Sequence, residues 1–183
     1  MDDVQKDILK FWFEETKPAQ WFQVDPAFDQ LIRQRFLEIY EQGTSGAFDA
    51  LKDSPQGCLA LCIMLDQFPR NMFRGTPKAF ASDEKALAIA NHAVEQRFDQ
   101  SLPADRRRFV YLPFEHSENL EDQHTSVALF KAIKNHDEMG YDYAVRHLEV
   151  IERYGRFPHR NKILGRDNTS DEEVYLAQAG AGF

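Results

Sequence analysis

The stretch "SPQGCLALCIMLDQ" (residues 54–67) decides the fold. Ser54 followed by Pro55 is an N-cap with proline at the first helical position, where the missing N–H is no loss and φ is already set. Beyond it nearly every position is apolar, so a helix here has no solvent face and must be a central, buried element. Its unbroken apolar run, "GCLALCIML" at 57–65, is far shorter than a membrane-spanning helix. Cys58 and Cys62 stand four apart on one helical face, where such residues are commonly small buried hydrophobes. Two cysteines are too few for a disulfide framework or a zinc knuckle, and free thiols fit a reducing, cytoplasmic location.

A helix buried all round needs others to cover it, and the flanking sequence supplies them. Asp25-Pro26 opens a helix with Phe28, Leu31, Ile32, Phe36, Ile39 and Tyr40 on one face, ended by Gly43. Ser82 caps a helix with the inward stripe Ala86, Ile89, Ala90, Ala93 and Val94. Pro103 begins one that runs into Pro113. Ser117 caps another, with Leu120, Val127 and Phe130 together. Ala144, Leu148 and Ile151 mark a further helix stopped at Gly155, and Ser170 with Glu173 forms a capping-box pattern for a short closing helix.

No stretch sustains a period of two. The links are short except 68–81 and 156–169, and short links favour antiparallel neighbours. The expectation is an all-α fold of about eight helices in stacked antiparallel pairs. The length gives one all-helical domain over 1–183, with "AGAGF" at 179–183 as a flexible tail. No 34-residue period is visible.

Composition agrees. A hydrophobic share of 43% with 15 Phe supplies a core. The opening "MDDVQKDILKFWF" has acids where a secretory signal needs a basic segment, so no targeting peptide is read. A net charge of −8 and a pI near 5.2 argue against nucleic acid as the main partner. No membrane partner is expected. Phe11-Trp12-Phe13 and Trp21-Phe22 read as core, or as a lid over it.

The two long links resemble each other. "QFPRNMFRG" (67–75) and "RFPHRNKILGR" (156–166) each carry Phe-Pro, an Arg-Asn pair and a further Arg beside Gly. Each is followed by Ser-Asp-Glu, at 82–84 and 170–172. Residues 69–78 hold Arg70, Arg74 and Lys78 without an acid; residues 153–166 hold Arg153, Arg156, His159, Arg160, Lys162 and Arg166, also without one. Guanidinium groups present paired donors to a carboxylate or phosphate, and proline stiffens the approach. The alternative is structural: the arginines pair with acids elsewhere or cap helix C-termini.

A second group lies in "PFEHSENLEDQH" (113–124). His116, Ser117 and Glu118 fall between two helices, where a helix N-terminus offers N–H groups to an anion. Ser117 reads as an N-cap before a nucleophile. Gln123 lies on the apolar face, so its amide needs an interior partner. Asp66, beside Gln67, and Asp83 stand near Arg70 and Arg74, either as an Asp–Arg brace or with Asp66 as a general base. His147 reads as a hydrogen-bonded packing residue, and His92 and His136 as surface residues. His116, His147, His159 and Glu118 show no metal-ligand spacing such as H-x-x-x-H, so neither metal nor cofactor is expected.

Three segments in order, "LDQFPRNMFRGTPKAFASDEKA" (65–86), "YLPFEHSENLEDQ" (111–123) and "HLEVIERYGRFPHRNKILGR" (147–166), closely resemble the bacterial domain-of-unknown-function 924 family. "ILKFWFEE" and "WFQVDPAFD" look like that family too, so the resemblance spans nearly the whole chain. It implies a tetratricopeptide-repeat-like helical fold and brings no activity. The family pattern covers Asp66, Gln67, Pro69, Arg70, Asn71, Arg74 and Asp83, then His116, Ser117, Glu118 and Gln123. In the last segment it covers His147, Arg156, Pro158, His159, Arg160, Asn161 and Arg166. Leu51 replaces a tryptophan expected from the family.

The first reading is a binding protein. Arg70, Arg74, Arg156, Arg160 and Arg166 would hold an anionic small molecule or the acidic end of a peptide, with Asn71, Asn161 and Gln123 orienting it. Gln67, Asp83, Ser117 and His147 support the site, and Asp66 and Glu118 hold the arginines. The second is a small-molecule hydrolase with His116 or His159 as proton donor and Asp66 or Glu118 as base. The third is a protein–protein interaction scaffold whose loops are purely structural.

Overall fold

The structure, a computed structural model, describes residues 2–182. Phe183, the last residue of the expected tail, lies outside them. The chain is all-helical, with no strand among the described residues. It divides into two compact units, residues 1–74 with 78–113 and residues 75–77 with 114–183.

The first unit opens with α1 (Asp2–Lys10), which runs into a π-helical turn at Phe11–Glu15. α2 (Pro26–Thr44) starts as expected: the Asp25 carboxylate accepts from the Ala27 and Phe28 N–H groups. Its buried face steps by four through Phe28, Ile32, Phe36 and Tyr40. Leu31, expected beside them, is 47% exposed. The position three residues after Phe28 lies off that line, toward solvent.

α3 (Pro55–Cys62) is the centre of this unit. Ser54 caps it through Gly57 N–H, and every residue from Gly57 to Pro69 is buried. A 3-10 turn at Asp49–Asp53 lies so close that a Cβ at position 57 would stand 1.8 Å from the Leu51 carbonyl oxygen. Only glycine fits there. Burial pushes the Cys58 thiol up to about 11 and the Cys62 thiol well above its ordinary value, so both are inert packing groups.

The helical path does not end at Gln67. A π-helical turn, Ile63–Gln67, leads into α4 (Phe68–Met72), so the first long link is shorter than expected. In α-helical register the N–H of residue 69 would serve the Leu65 carbonyl, and Pro69 has none. The Ser82 hydroxyl donates to that carbonyl instead, at 2.5 Å. Ser82 therefore stands at the N-cap position of α5 (Asp83–Glu95) without capping it. The rings of Phe11, Phe36 and Phe68 interlock, with centroids 4.9 Å and 4.6 Å apart for Phe11–Phe36 and Phe36–Phe68. Trp12 joins them at 5.7 Å from Phe68, so Phe11 and Trp12 belong to the core. Phe22 is 55% exposed. α6 (Ala104–Glu115) follows, and the unit boundary falls at its Pro113.

The second unit is built on α7 (Leu120–Ala132) packed against α8 (Glu138–Tyr154), with α9 (Asn161–Leu164) and α10 (Ser170–Leu176) after them. Two expected caps shift. Asn119, not Ser117, caps α7, because the Ser117 hydroxyl is drawn to the Asp122 carboxylate at 2.7 Å. The capping box of α10 is Thr169 with Glu172, one residue earlier than Ser170 with Glu173. The buried face of α7 is Gln123, Ser126 and Phe130, with Leu120 exposed. Gly155 ends α8 at φ 66°, as a left-handed C-cap.

Candidate functional site

In the first unit the expected ligand-binding side chains are clamped by acids. Arg70 forks onto Asp83 at 2.8 and 2.9 Å and also meets the fully buried Asp66 at 3.1 Å. Gln67 donates its amide to the other Asp66 oxygen at 2.6 Å. Arg74 forks onto Asp29 at 2.7 and 2.8 Å, and Asn71 donates to the same carboxylate at 2.8 Å. Burial acts to raise the Asp29 pKa, but Arg74 and Asn71 outweigh it and hold the group below its ordinary value. Asp66, Asp83 and Asp29 thus tie α4 to its neighbours as an Asp–Arg brace. An open pocket on this unit is lined by Asp49, Lys52, Lys85, Ala88, Ile89 and His92, none of them an expected site residue.

The second unit repeats the theme. Arg156 forks onto Glu172 at 2.6 and 2.8 Å, and Arg166 forks onto Glu118 at 2.7 and 2.9 Å. Glu118 also accepts the Phe157 N–H at 2.8 Å. Burial would raise Glu118, but Arg166 and that N–H keep it below its ordinary value. Asn161 donates to Asn168 at 2.9 Å. Gln123 closes the C-terminal end of α6: its NH₂ group reaches the Glu115 and Ser117 carbonyls, each at 2.7 Å. At the start of α7 the Glu121 and Asp122 N–H groups donate to the Asn119 side chain.

A different group converges around the buried Phe157 ring. Arg160, itself 6% exposed, lays its guanidinium over the ring at 4.5 Å. The His147 and His159 rings stand 5.4 and 5.7 Å from it, and His116 stands 6.4 Å from His147. His147 Nδ1 faces the Tyr143 carbonyl at 2.8 Å, so that nitrogen carries the proton. The same nitrogen is 3.5 Å from the Glu115 carboxylate, which is buried as well.

Burial and neighbouring cations disfavour charge on the imidazoles of this corner. Burial, then His116, Arg160 and His159, drive the His147 pKa well below its ordinary value. His159 falls to about 4, first through burial and then through Arg160, against an opposing pull from Glu118. Among the described residues no three His, Cys, Asp or Glu side chains are grouped to hold a metal ion.

The structure therefore brings His116, His147, His159, Arg160, Glu118 and Arg166 together in one unit, and Asp66, Gln67, Arg70, Asn71, Arg74 and Asp83 together in the other. Sequence reasoning missed Glu115, Asp29 and Glu172. Asp29 closes the quoted segment "WFQVDPAFD", and Glu115 is the first acid in "PFEHSE", where an apolar helix ends.

Comparison with known proteins follows the same outline. No curated protein matches the chain. A solved structure of a protein of unknown function from Agrobacterium tumefaciens, ATU0120, is 36% identical. It superposes with a TM-score of 0.92 over 97% of this chain and 99% of that one. Residues 8–180 match the family described as bacterial protein of unknown function (DUF924), and the chain belongs to that family.

Proposed function

We propose that the protein binds an anionic group, a small phosphate or carboxylate or the acidic end of a peptide, at the corner formed by His116, His159 and Arg160. The observation that carries this reading is geometric: the Arg160 guanidinium lies over the buried Phe157 ring, with the His147 and His159 rings against the same ring and His116 beside His147. Burial, Arg160, His116 and Arg166 disfavour a charged His159, with Glu118 opposing them. An anion placed among them reverses that balance and is held by charge-assisted hydrogen bonds. Arg70 and Arg74 are forked onto carboxylates within the first unit, and Arg156 and Arg166 within the second, so their role is to brace the helices of their own unit. The α7–α8 pair supports a tetratricopeptide-repeat-like build of stacked helix pairs, and the buried free thiols support a cytoplasmic location.

The hydrolase reading has less support. Glu118 is engaged by Arg166 and the Phe157 N–H, and His159 is neutral near pH 7, the wrong state for a proton donor.

A thermal-shift titration with sulfate, phosphate and citrate tests the proposal. At an anion concentration of about 100 times Kd the protein gains about 2.7 kcal/mol, several degrees in melting temperature. Arg160→Ala and His159→Ala should abolish the shift, and Arg74→Ala should keep it. A shift that survives in both of the first two variants overturns the assignment.

A further inference from the structure

The last described residues turn back onto the protein. Residues 177–180 are exposed, whereas Ala181 and Gly182 are again half-buried. The Ala181 N–H donates to the Gln178 carbonyl at 3.2 Å. Gly180 and Gly182 sit at φ 81° and 91°, in the left-handed region that favours glycine. This shape sets Gly182 against His159. A Cβ added at position 182 would stand 3.1 Å from the His159 Cβ and 3.3 Å from its Cγ. A side chain there crowds His159, on a backbone φ that already strains any residue but glycine.

We propose that residues 177–182 form a strap over the His159–Arg160 corner, which an anionic ligand displaces on binding; this rests on the anion-binding reading above. The segment suits such a role. "AQAGAG" carries no charge, so it covers the imidazole without supplying a counter-ion. Small residues that bury little apolar surface lift away at low cost, while the helices beneath stay folded. Burial is the first cause of the lowered His159 pKa, as a cover over the ring requires. Ligand affinity is then reduced by the fraction of molecules in which the strap is open.

The test compares the full chain with Gly182→Val and with a chain ending at Gln178. Each is treated with diethyl pyrocarbonate, and modification at His159 is followed by peptide mass spectrometry. The exposed His136 serves as internal reference. Sulfate affinity is measured on the same three proteins. Both variants should modify His159 about tenfold faster than the full chain, with His136 unchanged, as expected for loss of local protection. Both should also bind sulfate more tightly. An unchanged His159 rate in the two variants overturns the strap, even where sulfate binds all three proteins. A faster His159 rate with no sulfate binding to any of them upholds the strap and overturns the ligand reading.

Discussion

The Ser82 hydroxyl donates to the Leu65 carbonyl, the acceptor that Pro69 leaves unserved four residues on. The same hydroxyl lies 3.2 Å from the Tyr40 phenol, and Ser82 is 3% exposed. One side chain thus joins α2, the π-helical turn and the start of α5. Ser82→Ala removes a buried donor and strands a buried carbonyl, so it should cost about 1–3 kcal/mol. Urea unfolding checks this: the midpoint should fall with the slope unchanged. A midpoint equal to that of the parent protein would mean the carbonyl finds another donor.

Arg70 and Arg74 make similar forks in very different settings. Asp66 beside Arg70 has no solvent exposure, while the Arg74 side chain is 39% exposed. Arg70→Ala leaves a buried carboxylate uncompensated and should cost about 3–5 kcal/mol. Arg74→Ala removes a pair near water and should cost about 1 kcal/mol or less. Equal losses in thermal unfolding would contradict the brace at Arg70.

The helices were legible wherever local backbone chemistry sets them. Asp25-Pro26 and Ser54-Pro55 start α2 and α3 because a side-chain acceptor and a preset φ act within four residues. The hydroxyls of Ser82 and Ser117 were misread for the opposite reason. Each has a stronger partner brought by folding, the Leu65 carbonyl in one case and the Asp122 carboxylate in the other. The two basic links were visible as charge, but their partners were not. Asp29 lies 45 residues from Arg74, and Glu172 lies 16 from Arg156. The family resemblance was legible from three motifs because they are long and fall in order. The corner around Phe157 was only half visible: its histidines were named one by one, while Glu115 enters through the bend between α6 and α7.

Glu172 gives the fold an acid-sensitive fastening. Its forked bond with Arg156, helped by the Thr169 N–H against the cost of burial, lowers it from the ordinary 4.5 to about 2. A carboxyl with a depressed pKa in the folded state stabilises fully above its unfolded value, and the gain is lost as pH falls through the folded one. Stability should therefore drop between pH 4.5 and 2. Glu172→Gln should be less stable at pH 7 and show a shallower fall over that window. Parallel acid-unfolding curves for the two proteins would remove Glu172 from the account.

His159 works with the opposite charge. Its folded pKa lies near 4, below the ordinary 6.5, with burial the largest cause, Arg160 next, Glu118 opposing and His116 adding to the depression. Between those values the unfolded chain binds more protons, so stability is full above pH 6.5 and declines as pH falls toward 4. A bound anion favours the charged ring, so binding takes up a proton and tightens as pH drops. Sulfate separates this from ligand titration, because it stays doubly charged throughout the range. Calorimetry in buffers of different ionisation heat should give an uptake approaching about one proton per site, and Kd should fall up to about tenfold per pH unit. His159→Gln should bind sulfate weakly and without that slope. Sulfate affinity that stays level from pH 7.5 to about 5 in the parent protein would show that His159 does not face the ligand.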